Sequence, residues 1–165
     1  MKVIDIKIID DFLLYPDFHL SEVMDGSFES IDALSVDTNE KITFHGIQQL
    51  GLNDQVGQKI MMMGYDVLYN FVRMSPKDQQ EPTHIHKDDM MGEYTAILYL
   101  SKIHPDDDGT TLYDDDMSKK NAIFMSKFNR LLIFPSDVYH SRNIFSNFGV
   151  GKDSRIIQVL FLNKR

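Results

Sequence analysis

The stretch Pro82-Thr83-His84-Ile85-His86-Lys87-Asp88-Asp89, with the apolar run Tyr94-Thr95-Ala96-Ile97-Leu98-Tyr99-Leu100-Ser101 behind it, decides how this sequence reads. The second run is short, β-rich and bounded by turn residues, the pattern of a strand. Similar runs stand on either side, at 66–74, 83–88, 110–113, 121–125, 130–134, 139–145 and 155–162. Seven or eight short strands with little helix among them predict a β-sandwich or barrel.

The first 65 residues differ. After Pro16 and Asp17, Leu20, Val23 and Met24 fall at helical spacing, and Gly26 is placed to stop the helix. A second helix is expected from Asn53 as N-cap through Val56, Ile60 and Met63, closed by Gly64. Extended segments are expected at 3–9 and around 42–44. The run Met61-Met62-Met63 reads as core filler rather than a soft-metal site. The expected class is α+β, mainly β: one domain over 1–165, with 1–65 supporting a barrel or jelly-roll core at 66–162.

Composition narrows the chemistry. With no cysteine among 165 residues, disulfide scaffolds, thiolate zinc sites, iron–sulfur clusters and cysteine nucleophiles are excluded. A metal would need His, carboxylate or backbone oxygen ligands. The net charge of −8 disfavours duplex nucleic acid, whose binding rests on clustered Lys and Arg. Asp5, Lys7, Asp10 and Asp11 interrupt any apolar signal-peptide core, and no apolar run is long enough to span a bilayer. A cytoplasmic location is the expectation.

On a strand, side chains at i, i+2 and i+4 share a face, so His84, His86 and Asp88 are expected to point together. An imidazole and a carboxylate two residues apart close on one cation. A third ligand from a distant strand would leave positions open, as non-haem Fe(II) requires. His140, at the start of the strand after Pro135-Ser136-Asp137, is the candidate. His19, His45 and His104 read as core or surface histidines.

With these elements in order, the chain resembles the Fe(II)/2-oxoglutarate-dependent oxygenase superfamily, especially its prolyl-hydroxylase-like branch, over 66–162. The carriers are His86-Lys87-Asp88, the strand from Tyr94 to Ser101, Asp108-Gly109-Thr110-Thr111-Leu112, Asn129 to Ser136, His140 and Arg155. The resemblance implies a double-stranded β-helix in which His86, Asp88 and His140 bind Fe(II). It also implies 2-oxoglutarate as co-substrate, anchored by Arg155 and the Tyr99 hydroxyl. O₂ would be consumed, with succinate, CO₂ and a hydroxylated product formed.

The sequence departs from the pattern in two places. A long insert, Ser146 to Ser154, separates His140 from Arg155, which makes Arg142 and Lys152 rival anchors. The family's Tyr ahead of the His-x-Asp strand is replaced by Ser75-Pro76-Lys77-Asp78. The alternatives are a cupin-like site using His84 and His86, or a non-catalytic metal-binding jelly roll. The substrate is expected to be a small molecule or a peptide. The 74–83 stretch reads as a lid, and Asp106 to Asp108 and Asp114 to Asp116 as solvated loops guarding an edge strand.

Overall fold

A computed structural model describes residues 4–34, 39–80 and 84–165. The elements in chain order are β1 (Lys7–Ile9), α1 (Pro16–Asp25), β2 (Glu29–Leu34), β3 (Lys41–Gln49), α2 (Gln55–Met62), β4 (Tyr65–Ser75), β5 (Tyr94–Tyr99), β6 (Gly109–Tyr113), β7 (Lys120–Met125), β8 (Leu131–Pro135), β9 (His140–Arg142), a 3₁₀ turn (Gly151–Asp153) and β10 (Arg155–Lys164).

The strands form two antiparallel sheets. The larger has the order β1-β8-β5-β10-β4-β3-β2, the smaller β7-β6-β9. Consecutive strands repeatedly change sheet, the arrangement of a jelly roll. An isolated antiparallel bridge between His86 and His140 sets a further extended segment beside β9.

Alternation along the strands builds two cores. Ala96, Leu98 and Leu100 of the β5 run, with Ile156 and Leu160 of β10, face the helices and meet Leu20, Val23, Val56 and Ile60. Ile97 and Tyr99, with Ile157, Val159 and Phe161, face inward between the sheets and meet Leu112, Leu132 and Phe134. β10 is buried over eight consecutive residues because both its faces are covered.

Both expected helices form. Pro16 opens α1, and the Gly26 N–H donates to the Val23 carbonyl at its end. The cap of α2 is Asp54 rather than Asn53: its carboxylate accepts from the Gly57 N–H at 2.8 Å, three residues on as N-cap geometry requires. On the outer face of the large sheet, buried His19 joins Gln158 (2.7 Å) and Gln55 (2.8 Å). It is a satisfied core histidine.

Several expectations are corrected. The hairpin partner β2 is an addition to the expected strands: its residues are mixed polar and apolar and mostly exposed at the sheet edge. The 139–145 strand shrinks to His140–Arg142. The 83–88 run pairs only at His86, with Thr83 outside the described residues. β6 is no edge strand, since β7 and β9 flank it. In the acidic loop expected to be solvated, Asp108 is buried, at 1% exposure, whereas Asp106 and Asp107 are exposed. The expected lid is anchored where it is described: Lys77 N–H donates to the Gly149 carbonyl and the Asn147 amide to the Gln79 carbonyl. Its 81–83 part lies outside the described residues.

Candidate metal centre

His86 and His140 face each other across the isolated bridge and exchange both backbone hydrogen bonds, at 3.0 and 2.9 Å. Directly opposed residues on neighbouring strands carry their side chains on the same face. The imidazole centroids are accordingly only 4.3 Å apart. Asp88 lies two residues beyond His86, and its N–H donates to the Ser136 carbonyl, which turns the segment back over β8. Its carboxylate reaches both rings: Oδ2 is 2.9 Å from His140 Nε2, and Oδ1 is 3.4 Å from His86 Nε2.

One ligand atom from each of His86, Asp88 and His140 falls within 4.8 Å of the others. Both rings are oriented from behind. His140 Nδ1 donates to the Val138 carbonyl and His86 Nδ1 to the His84 carbonyl, each at 3.0 Å. With Nδ1 carrying the proton, the neutral ring presents its Nε2 lone pair toward the carboxylate. Two imidazole nitrogens and one carboxylate, with no thiolate, suit a borderline divalent cation. The residues therefore fit a metal.

Surrounding groups hold this set. The Thr95 hydroxyl donates to Asp88 Oδ2 at 3.3 Å and contacts the Ser136 hydroxyl at 2.9 Å. Phe134 meets the His140 ring edge-on, with centroids 4.8 Å apart. The His86 side chain is 39% exposed against 7% for His140, so the centre opens on the His86 side. A groove of about 850 Å³ runs along the turn leaving Asp88, lined by Tyr69, Asp89, Met90, Met91, Tyr94 and Asp137 among others.

Burial by itself would raise the Asp88 carboxyl, but the contacts with His140 and His86 outweigh it and hold the group below the usual carboxylate range. For His86, burial works to lower the ring's pKa, and the Asp88 contact reverses this to a net rise above 6.5. A protonated ring cannot ligate, so lowering the pH through neutrality opposes metal binding through His86 while Asp88 stays ionised. Mn(II) affinity is expected to fall steadily as the pH drops from about 8 to about 6, with proton release seen in calorimetry across buffers of different ionisation enthalpy. Loss confined to pH below about 5 would contradict this, because that is the ordinary carboxylate range.

The other expected site residues lie deeper. Arg155, at 3% exposure, shares the inward parity of Ile157 and Val159 on β10. Tyr99 is opposite Ile157, and its hydroxyl meets the Thr110 hydroxyl at 2.5 Å across the space between the sheets. Burial, eased by the Thr110 contact, pushes the Tyr99 phenol up to about 12, so it keeps its proton at neutral pH.

The rival cations are placed differently, although Arg142 pairs with Thr110 across β6 and β9. Arg142 donates to Asn147 Oδ1 (2.7 Å) and the Ser146 carbonyl (3.0 Å), and Lys152 is exposed on the 3₁₀ turn. His84 is not in the ligand group, although its ring centroid is 5.0 Å from that of His86. His45 bonds Ser30 and His104 bonds the Pro105 carbonyl. Thr95, Thr110, Ser136 and Asp108 stood in the sequence only as parts of longer runs, with no role at the site given to them. A polar residue on a strand whose neighbours are apolar is the signal that could have found Thr95.

No family model matches this sequence. No curated protein matches it either. Solved structures do share its fold. An oxidoreductase of the 2OG-Fe(II) oxygenase family from Burkholderia pseudomallei aligns with TM-score 0.62 and 10% identity, over 95% of this chain and 84% of that one. The non-heme alpha ketoglutarate dependent epimerase SnoN from nogalamycin biosynthesis aligns at 0.61 and 13%, over 94% and 74%. SnoN in complex with Fe3+, alpha ketoglutarate and nogalamycin RO aligns at 0.59 and 10%, over 95% and 78%.

Proposed function

We propose that this chain is an Fe(II)- and 2-oxoglutarate-dependent oxygenase of the prolyl-hydroxylase-like branch, hydroxylating a small-molecule or peptide substrate in the cytoplasm. The observation that carries the reading is the convergence of His86 Nε2, His140 Nε2 and the Asp88 carboxylate, both rings pinned through Nδ1. The strand order β4-β10-β5-β8, facing the His86 segment with β9-β6-β7, supports a double-stranded β-helix as the core over 66–162. Residues 1–65 are read as its support within one domain.

His86, Asp88 and His140 would hold the metal. Arg155 and Tyr99 would hold the far carboxylate of 2-oxoglutarate, a guanidinium and a protonated phenol both being donors to an anion. When bound, iron and 2-oxoglutarate supply the O₂-dependent oxidation of a C–H bond, with succinate and CO₂ as co-products. The protein's own part is placement. Nδ1 contacts fix both ring tautomers, Thr95 steadies the carboxylate, and Leu132, Phe134 and Val138 shut water out from behind the centre. The open His86 side is the one left for the substrate; the groove along Asp89 and Met91 is lined by none of the three ligand residues.

Anaerobic calorimetry of Mn(II)-loaded protein with 2-oxoglutarate, beside a metal-free control, tests this directly. Metal-dependent binding is the expected result. Absence of binding in protein shown to hold Mn(II) would overturn the reading in favour of a non-catalytic metal-binding jelly roll. In the same titration, Arg155→Ala should weaken 2-oxoglutarate by about tenfold to a hundredfold, the worth of a charge-assisted hydrogen bond or two. Arg142→Ala should leave it near the parent value, because that guanidinium already serves the Ser146 and Asn147 loop. The reverse pattern would transfer the anchor to Arg142.

A further inference from the structure

The Arg155 guanidinium shares its buried site with a second charged group. Asp108, its side chain 2% exposed, places Oδ1 3.6 Å from Arg155 Nε. That distance makes an ion pair but no hydrogen bond. Both atoms are fully buried, and neither has a hydrogen-bond partner among the described residues. The Asp108 backbone is fixed, its N–H donating to the Pro105 carbonyl and its carbonyl accepting from the Ser126 N–H. The carboxylate is thus delivered by the entry to β6, two residues before the Thr110 hydroxyl that meets Tyr99. Asp108, Arg155, Tyr99 and Thr110 form one polar cluster inside an otherwise apolar core, and the Tyr99 phenol feels both charges.

A buried cation needs an anion, and here the protein supplies one loosely. We infer that Asp108 is an internal competitor for Arg155: it neutralises the guanidinium while no ligand is present and opposes entry of a ligand carboxylate at the same group. The inference rests on Arg155 being the 2-oxoglutarate anchor. Two effects then act in one direction. In the free protein the Asp108–Arg155 pair relieves a buried charge, and removing Asp108 would raise the energy of that state. In the complex, two carboxylates share one guanidinium in a site screened little by solvent, and removing Asp108 would relieve their repulsion. A ligand binds more tightly when its unliganded state is destabilised and its complex is relieved. Asp108 therefore holds the affinity for a dicarboxylic 2-oxo acid below what Arg155 alone would give. It is a specificity-determining residue, since a 2-oxo acid without a far carboxylate gains nothing from its removal.

Asp108→Asn keeps the side chain's shape and removes the charge. The variant should melt at a lower temperature than the parent in metal-free buffer, yet bind 2-oxoglutarate at least about tenfold more tightly when Mn(II)-loaded, a shift of about 1.4 kcal/mol. 2-Oxovalerate, which has a methyl where 2-oxoglutarate has its far carboxylate, should bind both proteins alike. If Asp108→Asn does not fold, Asp108→Ser titrated at low temperature provides the same comparison. Equal or weaker 2-oxoglutarate binding by the variant, with the parent binding normally, would overturn the competitor role and make Asp108 a positioning residue for Arg155. Equal tightening of 2-oxovalerate would also overturn it. If neither Mn(II)-loaded protein binds 2-oxoglutarate, the co-substrate reading itself fails, and the inference with it.

Discussion

Asp88→Ala is expected to abolish metal binding, and with it the proposed turnover, while the protein stays folded. Among the described residues, the carboxylate is the only anion in the ligand group within reach of both Nε2 atoms, at 2.9 and 3.4 Å. Removing an outer-shell partner of a metal ligand commonly costs 10–100-fold in affinity, so losing a charged ligand itself should cost more than about 100-fold. The side chain contributes little packing, being wedged between two imidazoles, and the His86–His140 backbone pairing does not depend on it. The metal-free melting temperature should therefore stay within about 4 °C of the parent, the shift that about 1 kcal/mol produces in a chain of this size. His84→Ala is the matched control: it should spare Mn(II) binding, whereas a cupin-like site would lose it. Metal titrations on the three proteins decide the matter, and Mn(II) binding by Asp88→Ala at parent affinity would remove Asp88 from the site.

The parts of this molecule that were legible in the sequence are those dictated by local chemistry. β5 and the buried part of β10 are apolar except at Thr95, Arg155 and Gln158, because each is covered on both faces, and such runs announce themselves. His86 and Asp88 drew attention through their spacing of two, which only the order of the elements around them made specific. The α1 and α2 faces were legible through Leu20, Val23, Val56 and Ile60 at helical intervals.

What was hidden depends on register and long-range contact. Nothing in the sequence says that His140 lies opposite His86 rather than one residue along; His140 was a candidate third ligand from a distant strand, and the bridge supplies the register. The acidic loop misled for the same reason. Asp106, Asp107 and Asp108 look alike in sequence, yet only Asp108 precedes a strand that carries it inward to Arg155. β2 gave no signal because an exposed edge strand needs no apolar face, only the backbone of β3.

Gly109→Ala carries a large expected cost in stability, for a reason that also reaches the site. Gly109 has φ +154°, a conformation L side chains rarely adopt, and a Cβ there would lie 1.9 Å from the Phe124 carbonyl oxygen and 2.7 Å from the Asn143 amide. The carbonyl belongs to β7, so no side-chain rotation relieves the overlap, and the β6–β7 backbones must separate. Gly109 also accepts the Asn143 N–H at 3.0 Å, which ties β6 to the end of β9. Gly64 provides the comparison: its φ is +102°, but a Cβ would meet nothing within 4 Å. Gly64→Ala should cost only the backbone term, about 1–2 kcal/mol. Gly109→Ala adds a backbone displacement and should exceed about 3 kcal/mol, lowering the melting temperature by roughly 6–12 °C or more. Because the displaced strand carries Thr110 and pairs Leu112 with His140, the variant should also loosen Mn(II) binding, which Gly64→Ala should not. Equal melting shifts for the two alanine variants would mean that φ strain alone acts at Gly109 and that β6 tolerates the added carbon.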